Sequence, residues 1–269
     1  MKVEYIKNNE IDSIQNCQEE GWEDINEFYK FYISSSFCHP LKLAIDGKII
    51  AIGAAIIHED VAWLGHIITL SDYRKRGFGT IITKKLIELS KENNCSTIYL
   101  IATDIGKKLY ETVGFTEEIK YIFFKREESK NQFKIFKYPK NIIPYEKQFK
   151  KQILKLDKEI SSENRVKHLE NFLKDSFLYC EENVIEGFYM PLFGEGLILA
   201  NNSVIGSELL KVHINKNDKV VLPENNSYAI QFLKNNGFYQ NLTVVRMRLD
   251  LKRPVQFEKI FNRIGGNLG

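Results

Sequence analysis

The sequence has no long hydrophobic run and few cysteines, and each of these absences excludes a class of protein. Its longest apolar stretch, residues 49–57, is far shorter than the ~20 residues that a membrane-spanning helix needs. The four cysteines form no pair at metal-ligand spacing, so we expect neither a metal site nor a disulfide framework. No secretory signal opens the chain, and we therefore expect reduced thiols in a cytoplasmic protein.

Strong charge of one sign and the common nucleotide-binding motifs are also missing. The net charge of +3 is too small to predict a nucleic-acid partner by itself. The sequence contains neither a P-loop ending in Gly-Lys-Ser/Thr nor the Gly-x-Gly-x-x-Gly spacing of a dinucleotide fold. A length of 269 residues with an apolar fraction of 43% suits two globular domains.

What the sequence does have is a basic glycine turn between a predicted strand and a predicted helix. The apolar run 62–70 predicts the strand, and apolar residues at helical spacing predict the helix from about residue 80 to 94. The first amides of a helix have no intrahelical partner and attract anions. Gly77 and Gly79 lack a Cβ, so the backbone can approach a bulky anion such as a pyrophosphate. The alternative is a solvated turn with a structural role only.

The surroundings of this turn favour a binding role. Arg-x-x-Gly-x-Gly after a strand resembles the acetyl-CoA signature of the GNAT superfamily of N-acetyltransferases. A second GNAT signature follows about thirty residues later, where strand 97–101 precedes Leu-Tyr-Glu-Thr-Val-Gly-Phe at 109–115. Thr103 and Gly106 stand where the superfamily usually has Asn and Ala. The resemblance covers residues 1 to about 127 and implies a mixed central sheet flanked by helices, an α/β (α+β) fold.

The resemblance also implies the site residues. Acetyl-CoA, the cosubstrate, would contact the strand and the turn at Ile68, Thr69, Leu70, Arg74, Lys75, Arg76, Gly77, Phe78, Gly79 and Thr80. Tyr110 would protonate the leaving thiolate, although a tyrosine there could also be a half-buried helix residue. Some superfamily members carry a proton acceptor at positions that here hold Trp63 and Gly65, and neither can take a proton. The remaining candidates are His58, Glu59, Asp60, His66 and Asp104.

The region before the turn supplies the other expected elements of the fold. We expect a strand at 2–7, a helix ended by Gly21, a second helix from Trp22 to Tyr32 and a hairpin around Asp46-Gly47. Strand 116–125 would complete the GNAT order. In the superfamily the two helices and the following loop cover the acceptor site, which would place residues 34–39 near a substrate. Core packing is the alternative for the aromatic residues there.

The second half of the sequence repeats the first. Residues 110–115 align with 233–238 at an offset of 233 − 110 = 123 residues, and Leu233 replaces the tyrosine. Nothing in 197–208 matches the glycine turn. The chain thus resembles two-domain bacterial acetyltransferases whose second domain is a degenerate copy. Residues 156–165 and 265–269 also resemble that group. We predict an acetyl-CoA-binding domain at 1–127, a basic connector at 128–145 and a degenerate GNAT-like domain at 146–269.

The function implied is transfer of an acetyl group from acetyl-CoA to a primary amine of a small-molecule or peptide acceptor, by direct attack in a ternary complex. One alternative is a non-catalytic acyl-CoA-binding sensor. Another is a nucleic-acid-associated protein, because residues 125–155 carry ten Lys or Arg against three Glu. The second domain would shape the acceptor site or an oligomer interface, with a homodimer the simplest assembly.

Overall fold

The structure is a computed structural model that describes residues 1–17, 24–126, 136–137 and 139–268. The chain forms two compact units, and each takes segments from more than one part of the sequence. Unit 1 contains Met1–Glu118, Arg246–Lys252 and Gly266–Gly269, and unit 2 contains Ile119–Val245 and Arg253–Gly265. The contiguous domains at 1–127 and 146–269, joined by a connector at 128–145, remain a prediction.

Unit 1 contains a mixed sheet with helices packed against it. Its elements are β1 (Lys2–Tyr5), α1 (Ile11–Ile14), α2 (Ile25–Ser34), β2 (Cys38–Ile45), β3 (Lys48–His58), β4 (Val61–Thr69), α3 (Phe78–Glu92), β5 (Thr97–Ala102) and α4 (Asp104–Thr112). The strand order begins β1-β2-β3-β4-β5. Neighbouring strands run antiparallel except β4 and β5, which are parallel. The predicted fold class is confirmed.

Local sequence explains the position of α3 on the sheet. The predicted hairpin between β2 and β3 turns at Asp46 and Gly47, whose φ angles of +49° and +80° suit a tight hairpin turn. A Cβ at Gly53 on β3 would lie 2.8 Å from Leu86 Cδ1, so α3 packs directly onto that strand. The first residue of α3, Phe78, comes nine residues after the end of β4 (78 − 69 = 9), across the basic glycine turn.

A segment from the second half of the sequence completes the sheet of unit 1. β12 (Phe238–Asp250) is the strand next to β5, and its last residues, from Arg246 on, belong to unit 1. Just beyond β12, Leu251 N donates to Ser96 O at 3.0 Å and Thr97 Oγ1 donates to Leu251 O at 2.9 Å. The strand next to β5 thus comes from the second half of the sequence.

A buried ion pair fixes β12 within unit 1. Arg246 is 3% exposed, and its Nε lies 2.7 Å from Glu118 Oε2. Its guanidinium carbon lies 3.9 Å from the ring centroid of Tyr99 and 4.7 Å from that of Trp63. Delocalised charge on arginine suits such stacking on aromatic faces. Trp63 is consequently a core residue, fully buried beneath a charged partner.

Unit 2 repeats the helix and strand order of unit 1 with different partners. Its elements are β7 (Ile142–Pro144), α5 (Lys150–Ser161), α6 (Val166–Leu169), β8 (Phe177–Glu181), β9 (Val184–Met190), β10 (Leu197–Ala200), α7 (Ser203–Ile214), β11 (Lys219–Pro223), α8 (Ser227–Asn235) and β13 (Ile260–Asn262). One sheet has the order β13-β10-β9-β8-β7. β11 pairs antiparallel with β6 (Thr116–Arg126), whose residues 121–125 belong to unit 2.

Strand β13 lies between β10 and β11. It pairs antiparallel with β10, and Arg263 N donates to Val221 O of β11 at 2.9 Å. The Asn262 side chain continues the connection, because its Oδ1 accepts from Val221 N at 2.8 Å. Phe261 of β13 is fully buried and covers Gly206 of α7 so closely that no side chain would fit at that position.

Most of the predicted elements are present with similar bounds. The predicted elements at 197–200 and 203–214 coincide with β10 and α7. Strands β7 and β13, each of three residues, were not predicted. Gly21 and Trp22 lie outside the described residues, as do residues 128–135 and 138 of the predicted connector 128–145.

Candidate functional site

In unit 1 the parallel strands β4 and β5 separate before they end. Their described register runs from Val61 opposite Thr97 to Leu64 opposite Leu100. β4 then continues to Thr69. On its other side β4 stays paired with β3, but the register shifts between Ala54 and Ile52. This β-bulge redirects the second half of β4, as bulges do next to active sites. From Gly65 onward β4 has no backbone pairing with β5 among the described residues, and we call this edge at residues 65–70 the opening.

The bulge contains His66 in a left-handed backbone conformation, with φ of +50°. Tyr32 OH lies 2.9 Å from His66 Nδ1, and Tyr29 OH donates to His66 O at 3.4 Å. Burial lowers the pKa of His66 to about 4, so its imidazole is neutral at physiological pH. Tyr29 and Tyr32 are buried, and Phe28 of the same helix contacts the His66 ring at a centroid distance of 4.7 Å.

The predicted anion site lies at the start of α3, where Gly77 is the N-cap. Its φ is +82°, a left-handed conformation that favours glycine, and no atom lies within 4 Å of where its Cβ would be. No side chain caps the helix, and the first turn contains no acidic residue. The amides of Phe78, Gly79 and Thr80 therefore face a position open to an anion.

The three basic residues of the turn are exposed around this helix start. Arg74 Nε donates to Thr69 O at 3.1 Å, which ties the turn to the end of β4. The Arg76 guanidinium carbon lies 5.5 Å from the ring centroid of Tyr73. Lys75 has a φ of +61°, so this residue and Gly77 together bend the loop back toward the helix. The turn and helix start thus combine three exposed basic side chains with helix amides that no side chain caps.

Gly79 allows three elements to approach each other. A Cβ on Gly79 would lie 3.1 Å from Leu109 Cδ1 of α4 and 3.5 Å from Thr69 Oγ1 of β4. A larger side chain would push α3 away from one of these neighbours. The two glycines of the turn thus have different roles. Gly77 supplies a backbone conformation, and Gly79 allows close packing beside the opening of β4.

Tyr110 lies on α4, half-buried against Phe115 at a ring-centroid distance of 6.1 Å. A Cβ on Gly106 would be 3.0 Å from Tyr110 Cε2, so glycine in place of the usual alanine gives the ring room. Burial raises the pKa of Tyr110 to about 12, which keeps the hydroxyl protonated at neutral pH. Among the described residues no group hydrogen-bonds this hydroxyl.

The possible proton acceptors are not gathered around one point. His58 is 3% exposed at the far end of β3, and its ring lies against Phe37. Asp60 accepts from Ser96 Oγ at 2.9 Å in a turn. Asp104 is the exposed first residue of α4. The described residues contain no group of three His, Cys, Asp or Glu side chains suited to a metal ion.

The matching positions in unit 2 are closed. The helix start of α7 is capped, because Asn202 Oδ1 accepts from Ile205 N at 3.0 Å. Leu233, at the position of Tyr110, is fully buried in the core of α8. The strands that correspond to β4 and β5 are β10 and β11, and β13 fills the space between them. Unit 2 therefore has the fold elements of the first half without an opening between its strands.

The comparison with protein families identifies the first half. Residues 8–115 match the model of the acetyltransferase (GNAT) family. Residues 8–115 are a GNAT acetyltransferase domain. The GNAT match includes the turn, Tyr110 and the Gly-Phe pair at 114–115, and it supports acyl transfer as the class of reaction. A search among curated proteins gives no significant match.

Solved structures share the fold over the whole chain. A candidate acetyltransferase from Pyrococcus horikoshii is 20% identical, with a TM-score of 0.83 over 100% of this chain and 95% of its own. A GCN5-related N-acetyltransferase from Sphaerobacter thermophilus is 13% identical, with a TM-score of 0.64 over 96% and 98%. A tandem GNAT protein from the clavulanic acid biosynthesis pathway is 10% identical, with a TM-score of 0.62 over 94% and 99%.

These likenesses confirm the tandem GNAT architecture as a fold. At such low identities they carry no information on acceptor or activity. Among the described residues, no helix is both long and apolar enough to span a bilayer.

Proposed function

We propose that unit 1 transfers an acetyl group from acetyl-CoA to a primary amine of a small-molecule or peptide acceptor, by direct attack in a ternary complex. One observation carries this proposal. The uncapped, glycine-flanked start of α3 lies directly after a strand, β4, that has separated from β5. An anion site next to a strand with one open edge suits a ligand that has a pyrophosphate at one end and amides along its arm.

The turn would hold the pyrophosphate. The amides of Phe78, Gly79 and Thr80 supply hydrogen-bond donors at the positive end of the helix dipole. Arg74, Lys75 and Arg76 add exposed positive charge, and no acidic side chain in the first helical turn opposes it. Hydrogen bonds from such groups to phosphate are charge-assisted and correspondingly strong.

The edge of β4 at Ile68, Thr69 and Leu70 that faces away from β3 would hold the pantetheine arm by strand addition. Leu70 N already donates to Ile50 O of β3 at 2.9 Å, so the donor to the ligand would be another amide of this segment. A backbone amide of this edge would donate to the acetyl oxygen as negative charge develops on it. The bulge at His66 and the close packing at Gly79 fix where this edge lies. Positioning of this kind accounts for much of the rate enhancement in reactions that join two bound substrates.

Tyr110 would act as the acid. As the amine nitrogen bonds to the acetyl carbon, the carbon–sulfur bond breaks and its electron pair passes to sulfur. Tyr110 donates its hydroxyl proton to that sulfur and regains a proton from solvent. The proton lost by the amine passes to water, because Trp63 and Gly65 occupy the strand positions where superfamily members carry a base. Trp63 stacks beneath Arg246, and Gly65 leaves no space for a side chain.

A thiol-release assay with acetyl-CoA tests the proposal. The full-length chain is incubated with a broad panel of primary amines, and free CoA thiol and acetylated product are both measured. We expect amine-dependent thiol release with at least one amine class. Binding of CoA without any amine-dependent release would refute transfer.

A non-catalytic acyl-CoA sensor is the second candidate, and one observation favours it. The strand positions of a general base hold a buried tryptophan and a crowded glycine. The same assay separates the two functions, because a sensor binds CoA and releases no thiol. A nucleic-acid role rests on the basic stretch 125–155, and a salt titration of binding to a nucleic acid would test it.

A further inference from the structure

We propose that Asn267, near the end of the sequence, is a positioning residue for the candidate site. It fixes, through Tyr32, which nitrogen of His66 carries the ring proton, and so holds the β4 bulge in one arrangement. The effect on turnover rests on the proposed function. The hydrogen-bond arrangement can be tested without it.

The terminal residues that unit 1 contains are packed into it. Asn267 is 8% exposed and Leu268 is 4% exposed. Asn267 Cα lies 2.9 Å from where a Cβ on Gly65 would be, and the Asn267 side chain would be closer still. Any residue other than glycine at position 65 would displace the tail. Asn267 therefore packs directly against Gly65, the residue of β4 that precedes the bulge.

A chain of polar contacts runs from Asn267 to the bulge. Asn267 Nδ2 donates to Tyr32 OH at 2.5 Å, and Tyr32 OH lies 2.9 Å from His66 Nδ1. A tyrosine hydroxyl has one proton, and the Asn267 amide can only donate to it through Nδ2. Tyr32 therefore directs its own proton to His66 Nδ1. This arrangement keeps the ring proton of the neutral imidazole on Nε2.

The contacts matter because His66 holds an uncommon backbone conformation. A non-glycine residue with φ of +50° persists only where surrounding structure imposes it. The ring of Phe28 and the hydroxyl of Tyr29 contact His66 from α2, and Tyr32 fixes its ring nitrogen. The open edge at residues 68–70 begins two residues later, so a loosened bulge would misplace it.

Because His66 is buried, its ring is neutral and carries one proton, either on Nδ1 or on Nε2. The pKa of His66 is lowered to about 4, so the imidazolium is a minor species at neutral pH. Long-range proton–nitrogen NMR spectra of the full-length chain labelled with ¹⁵N-histidine distinguish the two neutral tautomers. His66→Gln assigns the His66 signals among the five histidines of the chain.

We expect an unprotonated Nδ1 and a protonated Nε2 in the wild type. Asn267→Asp is nearly isosteric, but at pH 8 its carboxylate can only accept, so Tyr32 turns its proton toward residue 267. His66 Nδ1 must then donate to Tyr32, and the proton moves to Nδ1. Tyr29→Phe is the matched control, because it removes a neighbouring hydroxyl that donates to the His66 backbone oxygen and keeps the ring that packs beside the imidazole. It should leave the tautomer unchanged.

Activity provides the second readout. In Asn267→Asp we expect kcat to fall by about ten- to a hundredfold, since small misplacements of a reacting group have effects of this size. The rise in melting temperature caused by CoA should stay near that of the wild type. A wild-type protein with the proton on Nδ1, or an unchanged tautomer in Asn267→Asp, would overturn the proposal. Absence of transfer with every amine would instead refute the proposed function, while the spectra still decide the role of Asn267.

Discussion

Two glycines with the same geometry allow a controlled test of the anion site. Gly77 at the start of α3 and Gly47 in the β2–β3 hairpin have φ angles of +82° and +80°. Neither has an atom within 4 Å of its would-be Cβ. A Cβ at either position meets no atom, and a leucine there is forced into a left-handed backbone, which costs about 1–2 kcal/mol. The two variants should therefore lose similar stability for the same reason.

The magnitudes can be compared on a melting curve. With a change of about 2–4 °C per kcal/mol for a chain near this size, each variant should melt about 2–8 °C below the wild type. CoA at a hundredfold excess over its Kd adds about 2.7 kcal/mol of stability. That amounts to a rise of about 5–11 °C in the melting temperature of the wild type.

We expect the CoA-induced rise to survive in Gly47→Leu and to disappear in Gly77→Leu. The side chain introduced by Gly77→Leu would occupy the space in front of the first amides of α3, where the pyrophosphate is proposed to lie. Differential scanning fluorimetry with and without CoA measures both effects in one experiment. An equal rise in the two variants would show that the pyrophosphate binds elsewhere.

Three further predictions concern other parts of the molecule. Tyr110→Phe removes the hydroxyl, so kcat should fall by a factor at the low end of the ~10²–10⁴-fold range or less. The variant keeps the ring and its packing, so the CoA-induced melting shift should not change. Full activity would leave Tyr110 a structural role only. Arg246→Met removes the nearer of two arginine partners of the buried Glu118 carboxylate and leaves Arg248, whose Nε lies 3.7 Å from Glu118 Oε1. Urea titration should show a loss below the about 3–5 kcal/mol expected for a fully broken buried pair. Glu118→Gln added to Arg246→Met should restore part of the loss, and no loss in the single variant would contradict the buried ion pair. Burial lowers the pKa of His213 to about 4. As pH falls from about 6.5 to 4, the unfolded chain therefore takes up a proton that the folded chain does not, and the folded state loses stability. The His213→Gln variant should lose less stability over that pH interval, and an equal loss would show that His213 is not the group responsible.

The sequence predicts the elements that carry strong local signals. β10 and α7 have the predicted bounds because an apolar run is followed by Asn202, a good N-cap, and then by a helical stripe. The glycine turn before α3 is also a local signal, because the left-handed backbone at position 77 itself favours glycine. Patterns of this kind depend on neighbours in the chain, and they survive folding because tertiary contacts agree with them.

The remaining features depend on contacts between distant residues. β13 has three residues, too few for a period, and its position between β10 and β11 comes from the side chain of Asn262. Asn267 reaches Tyr32 across 235 positions of sequence. His66 has a left-handed backbone, which is uncommon for any residue other than glycine and is not specified by a histidine in an apolar strand. Local pattern cannot indicate such features, since none of their partners is nearby in the chain.

The exchange of strands is another feature of this class. β6 and β12 each begin at or just after a Gly-Phe pair, so the sequence repeat places each at the end of its own half. Residues 246–250 of β12 nevertheless lie beside β5, and residues 121–125 of β6 pair with β11. A strand pattern specifies that a strand forms, whereas its partner is chosen by packing such as that of Arg246 on Tyr99.

We propose that acyl-CoA binds at the opening of unit 1 and not in unit 2. Hydrogen–deuterium exchange of the full-length chain, with and without CoA, locates the binding site. We predict slower exchange on CoA binding in peptides that cover residues 66–82 and unchanged exchange in peptides that cover 197–214. Protection of the second region, or no protection of the first at a saturating CoA concentration, would contradict this assignment of the binding site.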